Sequence, residues 1–478
     1  MYDIGHFVGG REVAGTSNRF GDVFQPSTGL QVGRVSLASD REVEGAVSVA
    51  RSASKQWRNS SLAVRVAVME RFRELVAKGI DELAEIISRE NGKLFLDARG
   101  EVQRGLESVE FACGVPTHLL GAFSESVTSD IDAYSLRQPV GVVAAITPAN
   151  FPAMVPLWMI PNALVCGNSV LFKPSEKDPS AGMWLARQLS EAGLPDGVLN
   201  VVNGDQEAVK ALIANPGVDA VSFVGSTPVA RSIYQMASTS GKRVQALGGA
   251  KNHLIVLPDA DISLAADAAI SAGYGAAGQR CMAVSVVLPI GGVASELVQE
   301  IEARARRVVV GESMDPAAQL GPLITGQHRD RVAGYVAAAE SAGAEVLVDG
   351  SDQLQRPGFF LGPCLVDKVS SEMSAYRDEI FGPVLSVVRS ENFSDALELV
   401  NSNPFGNGAA LFTSSGKAAR AFQRDASIGM LGINVPVPVP PAHFSFGGWK
   451  GSLFGDLHMY GPDGIKFFSR GKTVMARW

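Results

Sequence analysis

Residues 140–152 read VGVVAAITPANFP, an apolar run broken at Pro148, and they sit inside a longer stretch, Gln138 to Phe172, that carries no charged side chain. Length and hydropathy alone would suit a membrane span. Pro139, Pro148, Pro152, Pro156 and Pro161 interrupt it, however, and Asn150, Asn162 and Asn168 add polar groups that lipid cannot satisfy. The stretch therefore reads as the buried heart of an α/β domain. Further along come the short apolar runs SVLFKPS (169–175), GVLNVVNG (197–204), DAVSFVG (219–225) and KRVQALGG (242–249). Between them lie PSAGMWLARQLSEAG, DQEAVKALIAN and STPVARSIYQMAS, which pattern as helices. This alternation predicts βαβ units and a mostly parallel sheet covered on both faces, with ligands beyond the carboxyl ends of its strands.

Upstream, residues 41–110 read as helices. Asp40–Trp57 opens on an aspartate cap with a Glu about three residues on, and Val64–Asn91 ends at the C-cap pair Asn91–Gly92. Past residue 250 the alternation resumes with NHLIVLPDA, DISLAADAAISAGYG, VSVVLPI and ASELVQEIEARARRVVV, then AEVLVDG and PVLSVV, and predicts a second α/β domain.

The chain has 478 residues, 46% hydrophobic and 19% charged, which excludes a disordered or fibrous protein. Lys and Arg number 42 against 49 Asp and Glu, a net charge of −7 with no basic run, so neither nucleic acid nor an anionic membrane is an expected partner. Four cysteines without a C-x-x-C and an N-terminus without a signal-like segment point to a reducing, cytoplasmic setting. The six histidines are scattered, so no metal site is expected.

Three patterns could carry chemistry. Cys113, Cys166 and Cys364 lie in apolar contexts, whereas Cys281, in AAGQRCMAVS, follows a cation that would favour its thiolate. The turn GSTPVA opens a helix directly after a strand, with Ser226 or Thr227 as cap and Pro228 near its start, a place suited to a phosphate. In LFKPSE, Lys173 and Glu176 stand where they could hold ribose hydroxyls.

Taken together, ITPANFP, LFKPSE, SFVGSTPVA, GQRC, DEIFGPV and INVP…FGGWK, in that order along essentially the whole chain, resemble the aldehyde dehydrogenase superfamily. Within it, EVQRGLESVEFACG, VQALGGAKNH, AAGQRCMAVS, INVPVPVP and SLFGDLHMYG are similar to the CoA-acylating methylmalonate-semialdehyde dehydrogenases. The resemblance implies a Rossmann-like NAD-binding domain (1–119 and 139–247), an α/β catalytic domain (248–451) and a small oligomerisation flap (120–138 and 452–478) of a homodimer or homotetramer. It implies Cys281 as the nucleophile and Asn150 as the oxyanion donor. NAD would be held by Thr147, Lys173, Glu176, Gly225, Ser226, Thr227, Glu379 and Phe381. Arg104 and Arg280 would clamp the carboxylate of a small semialdehyde, and coenzyme A would be the second substrate.

Two departures matter. Hydrolytic members carry a general base where this chain has Leu247, so deacylation by water is expected to be impaired. Ala149 stands where the family usually has a large aromatic residue, which leaves the chain length of the aldehyde open. The rival readings are an aldehyde dehydrogenase that releases a free acid without CoA, and a non-catalytic dinucleotide-binding protein.

Overall fold

The computed structural model describes residues 1–478, which fold around two parallel-stranded sheets. The first sheet contains the apolar runs that opened the sequence reading. Strands Val142–Ile146, Ser169–Lys173, Leu199–Val201, Ala220–Val224 and Arg243–Leu247 are mutually parallel and wholly or largely buried. Their spatial order runs from Arg243–Leu247 through Ala220–Val224 and Val142–Ile146 to Ser169–Lys173 and Leu199–Val201. The order reverses between Val142–Ile146 and Ala220–Val224, where successive crossovers leave to opposite sides and open a crevice. The second sheet is built on Asn252–Val256 and Val284–Pro289, flanked by Val384–Val387 and Cys364–Asp367 on one side and by Gly408–Phe412 and Met430–Ile433 on the other.

A third, antiparallel sheet pairs Phe123–Thr128 with Ile131–Pro139, and the latter with the C-terminal strand Ser469–Arg477. The closing segment is divided between layers. Leu453–Phe454 joins the edge of the first sheet, and helix Gly461–Phe468 buries Ile465, Phe467 and Phe468 in the core beneath that sheet.

The helices adjust the sequence reading in two places. Helix Asp40–Trp57 is capped by Ser39, whose hydroxyl accepts from Glu42 N–H while the Glu42 carboxylate accepts from Ser39 N–H, so the capping box lies one residue before Asp40. The long helical pattern up to Asn91 is two helices, Leu62–Lys78 and Ile80–Asn91, parted at Gly79. Gly92 closes the second in the left-handed conformation, as the C-cap reading requires. Helix Met154–Val165, inside the uncharged stretch, is buried along its whole length, and no helix is long and apolar enough to cross a membrane.

Candidate active site

The crevice at the strand-order reversal deepens into a cavity of about 570 Å³, which gathers Asn150, Gly225, Ser226, Thr227, Glu379 and Phe381 from three separate stretches of sequence. Ser226 caps helix Thr227–Thr239 by position but makes no side-chain cap bond, so the first N–H groups of that helix have no side-chain acceptor. The Thr227 hydroxyl is engaged elsewhere, accepting from Gly249 N–H and donating to the Gly451 carbonyl. Glycine at 225 is required by the protein itself, since a Cβ there would lie 2.4 Å from the Phe223 ring. One strand over, Thr147 N–H donates to the Lys173 carbonyl, and Lys173 Nζ lies 3.1 Å from the Glu176 carboxylate. Burial opposes the Glu176 charge, yet Lys173, its own N–H and Lys177 together hold its pKa below the ordinary value. The Thr147 hydroxyl is buried without a protein partner.

Cys281 follows a turn of unusual backbone. Ala276, Ala277 and Gly278 are all left-handed, a conformation that costs an alanine about 1–2 kcal/mol and persists only where the surroundings enforce it. A Cβ at 278 would meet the Gly382 carbonyl at 2.1 Å. The Cys281 carbonyl accepts from the side-chain amides of Asn252 and Asn407. Burial pushes the Cys281 thiol up to about 12 and Glu379 adds to this, whereas the N–H groups of Cys281 and Met282 and the Arg280 cation pull it down. Burial also raises the Glu379 carboxyl, whose Oε1 accepts from Ala250 N–H at 2.8 Å. Buried Lys251, its pKa depressed by burial to about 7, donates to the Ala375 and Asp378 carbonyls alongside. Leu247 is buried at the end of its strand and places no ionisable group near the thiol.

Asn150 donates one amide hydrogen to the Gln279 carbonyl at 3.0 Å, which ties it to the loop of Cys281, and its second has no protein partner. Lys93 Nζ reaches the Asn150 carbonyl at 2.7 Å and lies over the Phe151 ring, while pairing with Glu101. Glu101 in turn accepts from Ala153 and Met154 N–H, capping helix Met154–Val165, and Asn91 donates to the Ala149 carbonyl. Both ends of the Lys93–Glu101 pair are buried, and breaking such a pair costs about 3–5 kcal/mol. Sequence reading passed over Lys93, Glu101, Asn252 and Asn407. Glu101 left one signal, a carboxylate on the same helical stripe as the core residues Ala98, Val102 and Gly105.

The two arginines do not share a cavity. Arg104 pairs with Glu107, donates to the Val439 carbonyl, and lines a small cavity with Trp158, Met154 and Tyr460. Burial raises the Tyr460 hydroxyl, the Arg104 cation pulls it down, and the Cys281 sulfur and Glu107 push it up. Arg280 lies beside Cys281, but its guanidinium is neutralised by Asp97 at 2.8 Å and opens on a different cavity of about 680 Å³.

Residues 13–474 match the sequence profile of the aldehyde dehydrogenase family. The chain belongs to the aldehyde dehydrogenase family. Among family members, a malonate-semialdehyde dehydrogenase of Pseudomonas aeruginosa is 48% identical, over 100% of this chain and 97% of its own length. One from Geobacillus kaustophilus is 46% identical over 99% and 98%. The methylmalonate-semialdehyde dehydrogenase structure from Oceanimonas doudoroffii superposes with a TM-score of 0.98 at 50% identity, covering 100% of this chain and 99% of that one. A provisionally named methylmalonate-semialdehyde dehydrogenase from Sinorhizobium meliloti, solved in complex with NAD, gives 0.99 at 48% identity, with 100% and 98% covered. Both of these solved structures superpose over the whole length of this chain.

Proposed function

We propose that the chain oxidises malonate or methylmalonate semialdehyde with NAD and transfers the resulting acyl group to coenzyme A, giving acetyl-CoA or propionyl-CoA with loss of CO₂. The observation that carries this reading is buried, apolar Leu247 at the place of the hydrolytic base, beside a cysteine whose one carboxylate neighbour, Glu379, is tied to Ala250 N–H. Leu247 offers an acyl thioester formed there no base to activate water, so a thiol is the better acceptor. The likeness to semialdehyde dehydrogenases at 46–50% identity supports the substrate class.

The cavity suits NAD in charge and shape. The uncapped start of helix Thr227–Thr239 fits a pyrophosphate, Lys173 and anionic Glu176 fit a ribose diol, the free Thr147 hydroxyl supplies a further polar contact, and Glu379 and Phe381 would hold the second ribose. NAD, when bound, supplies the hydride acceptor.

The protein supplies the rest. Cys281 gives up its proton to solvent, its sulfur adds to the aldehyde carbon, and the carbonyl oxygen takes up the charge. The free amide hydrogen of Asn150 and the Cys281 N–H are the donors for that oxygen, each worth roughly 10²–10³ in rate. Loss of hydride from the same carbon leaves a thioester on Cys281. The β-carboxylate departs as CO₂ and the resulting carbanion is protonated. The CoA sulfur then attacks the thioester carbonyl and Cys281 leaves as thiolate. Arg104 would hold the substrate carboxylate, with Arg280 a support of the Cys281 loop.

Rapid mixing with either semialdehyde and NAD tests the reading. Without CoA, NADH should form in about one equivalent per active site and then stall, and CoA should restore turnover with an acyl-CoA as product. Steady turnover to a free acid at the same rate without CoA would favour the hydrolytic alternative. The antiparallel arm, with Phe123, Met475 and Trp478 exposed, would pair with a second copy in a homodimer or homotetramer.

A further inference from the structure

Helix Phe95–Cys113 starts immediately behind both reacting groups, and two of its carboxylates stand one turn apart, on Asp97 and Glu101. Asp97 Oδ2 accepts from the N–H of Ala276, the first residue of the left-handed run before Cys281, and its Oδ1 accepts from Arg280, the residue next to Cys281. Glu101 holds the other loop. It accepts from Ala153 and Met154 N–H and pairs with Lys93, whose ammonium grips the Asn150 carbonyl.

We propose that the first two turns of this helix are a brace that sets the position of nucleophile and oxyanion donor relative to each other, with Asp97 aligning the Cys281 loop and the Lys93–Glu101 pair aligning the Asn150 loop. The proposal rests on Cys281 and Asn150 being the reacting groups. Asp97, Lys93 and Glu101 are positioning residues, since their contacts are to the two loops. The physical argument is that backbone in a disfavoured conformation relaxes when its last partner is removed. Rigid connection matters because a misplacement of about 1 Å can cost on the order of 100-fold in rate. The helix gives both loops one rigid backing, while each side chain serves its own loop, Asp97 that of Cys281 and Lys93 with Glu101 that of Asn150.

Two readouts separate the halves of the brace. Alkylation of Cys281 by iodoacetamide needs only the thiol in place and reads chiefly the nucleophile loop, whereas the NADH burst needs both loops. Asp97→Ala should slow the burst on the order of 10- to 100-fold and alkylation by at least about fivefold, with the dissociation constant for NAD within about twofold of wild type. Asp97→Asn, which keeps one acceptor oxygen, should recover part of both losses. Lys93→Met should slow the burst on a similar scale but leave alkylation within about twofold. If Lys93→Met does not fold, Glu101→Gln makes the same test, because it keeps the shape of the cap and removes the charge that holds Lys93. Wild-type burst and alkylation in Asp97→Ala would overturn the proposal. So would losses of burst and alkylation in equal ratio in the Asp97 and Lys93 variants. Cys281→Ala is the control for the underlying reading: if it still gives a wild-type burst, the assignment of the nucleophile has failed, and not the brace.

Discussion

At residue scale the sharpest consequence lies in the Cys281 thiol, which burial holds near 12. In the protein free of cofactor only a small fraction is thiolate at neutral pH. The alkylation rate of Cys281 should therefore climb roughly tenfold per unit from about pH 7 to about pH 9 without a plateau. A plateau below about pH 8 would show that the thiolate is already favoured before any ligand arrives. Cys281→Ala should abolish aldehyde oxidation and keep NAD affinity within about twofold, since the residues proposed to hold NAD lie elsewhere; isothermal titration and an NADH assay decide. Glu176, held anionic beside Lys173, should reject a 2′-phosphate, so kcat/KM for NAD should exceed that for NADP. Arg104→Leu should lose about 10- to 150-fold in kcat/KM on methylmalonate semialdehyde, from a charge-assisted bond of about 1.5–3 kcal/mol, and little on propanal. Equal losses on both substrates would limit Arg104 to holding the Val439 carbonyl. The residues that line the cavity could be singled out in the sequence because they lie in short motifs at strand ends and turns. Asp97 and Lys93 were not, because their meaning depends on loops roughly 60–180 positions away.

At the scale of elements, the turn from strand Arg243–Leu247 to strand Asn252–Val256 passes directly behind Glu379. A Cβ on Gly249 would lie 2.2 Å from the Glu379 carboxylate. Gly249→Ala should push Glu379 out of place and raise the KM for NAD several-fold. An unchanged KM would remove Glu379 from the cofactor site. Most elements could be read from alternating apolar runs, because a buried parallel strand writes itself as a short uncharged stretch. The two errors have different causes, one local and one distant. The cap of the first long helix fell to Ser39 because its hydroxyl and Glu42 satisfy each other's backbone donors, which Asp40 is placed too late to do. The break at Gly79 has no signature in its own neighbourhood: the Trp184 ring fills the space where a Cβ would stand, at 2.5 Å, and that contact comes from a helix a hundred residues downstream.

At the scale of the whole molecule, the antiparallel arm carries an exposed apolar surface that includes Phe123 at 64% and Met475 at 59% exposure. If it joins subunits, the protein should sediment as a dimer or tetramer, and Phe123→Glu with Met475→Glu should shift it toward monomer. A monomeric wild type would remove that role from the arm. The arm has a second consequence, for the order in which the protein is made. Its central strand, Ile131–Pro139, is synthesised early and pairs along its whole length with Ser469–Arg477, almost the last residues of the chain. The first sheet waits as well, since Leu453–Phe454 forms its edge, Asn168 donates to the Phe468 carbonyl, and Arg243 reaches the carbonyls of residues 466, 467 and 469. At about 5–20 residues per second, ribosomal synthesis separates the two strands by roughly 15–65 seconds. The N-terminal half must spend that interval with an open edge and an uncovered apolar floor, so the nascent chain is most vulnerable to aggregation and chaperone capture just before its final helix emerges.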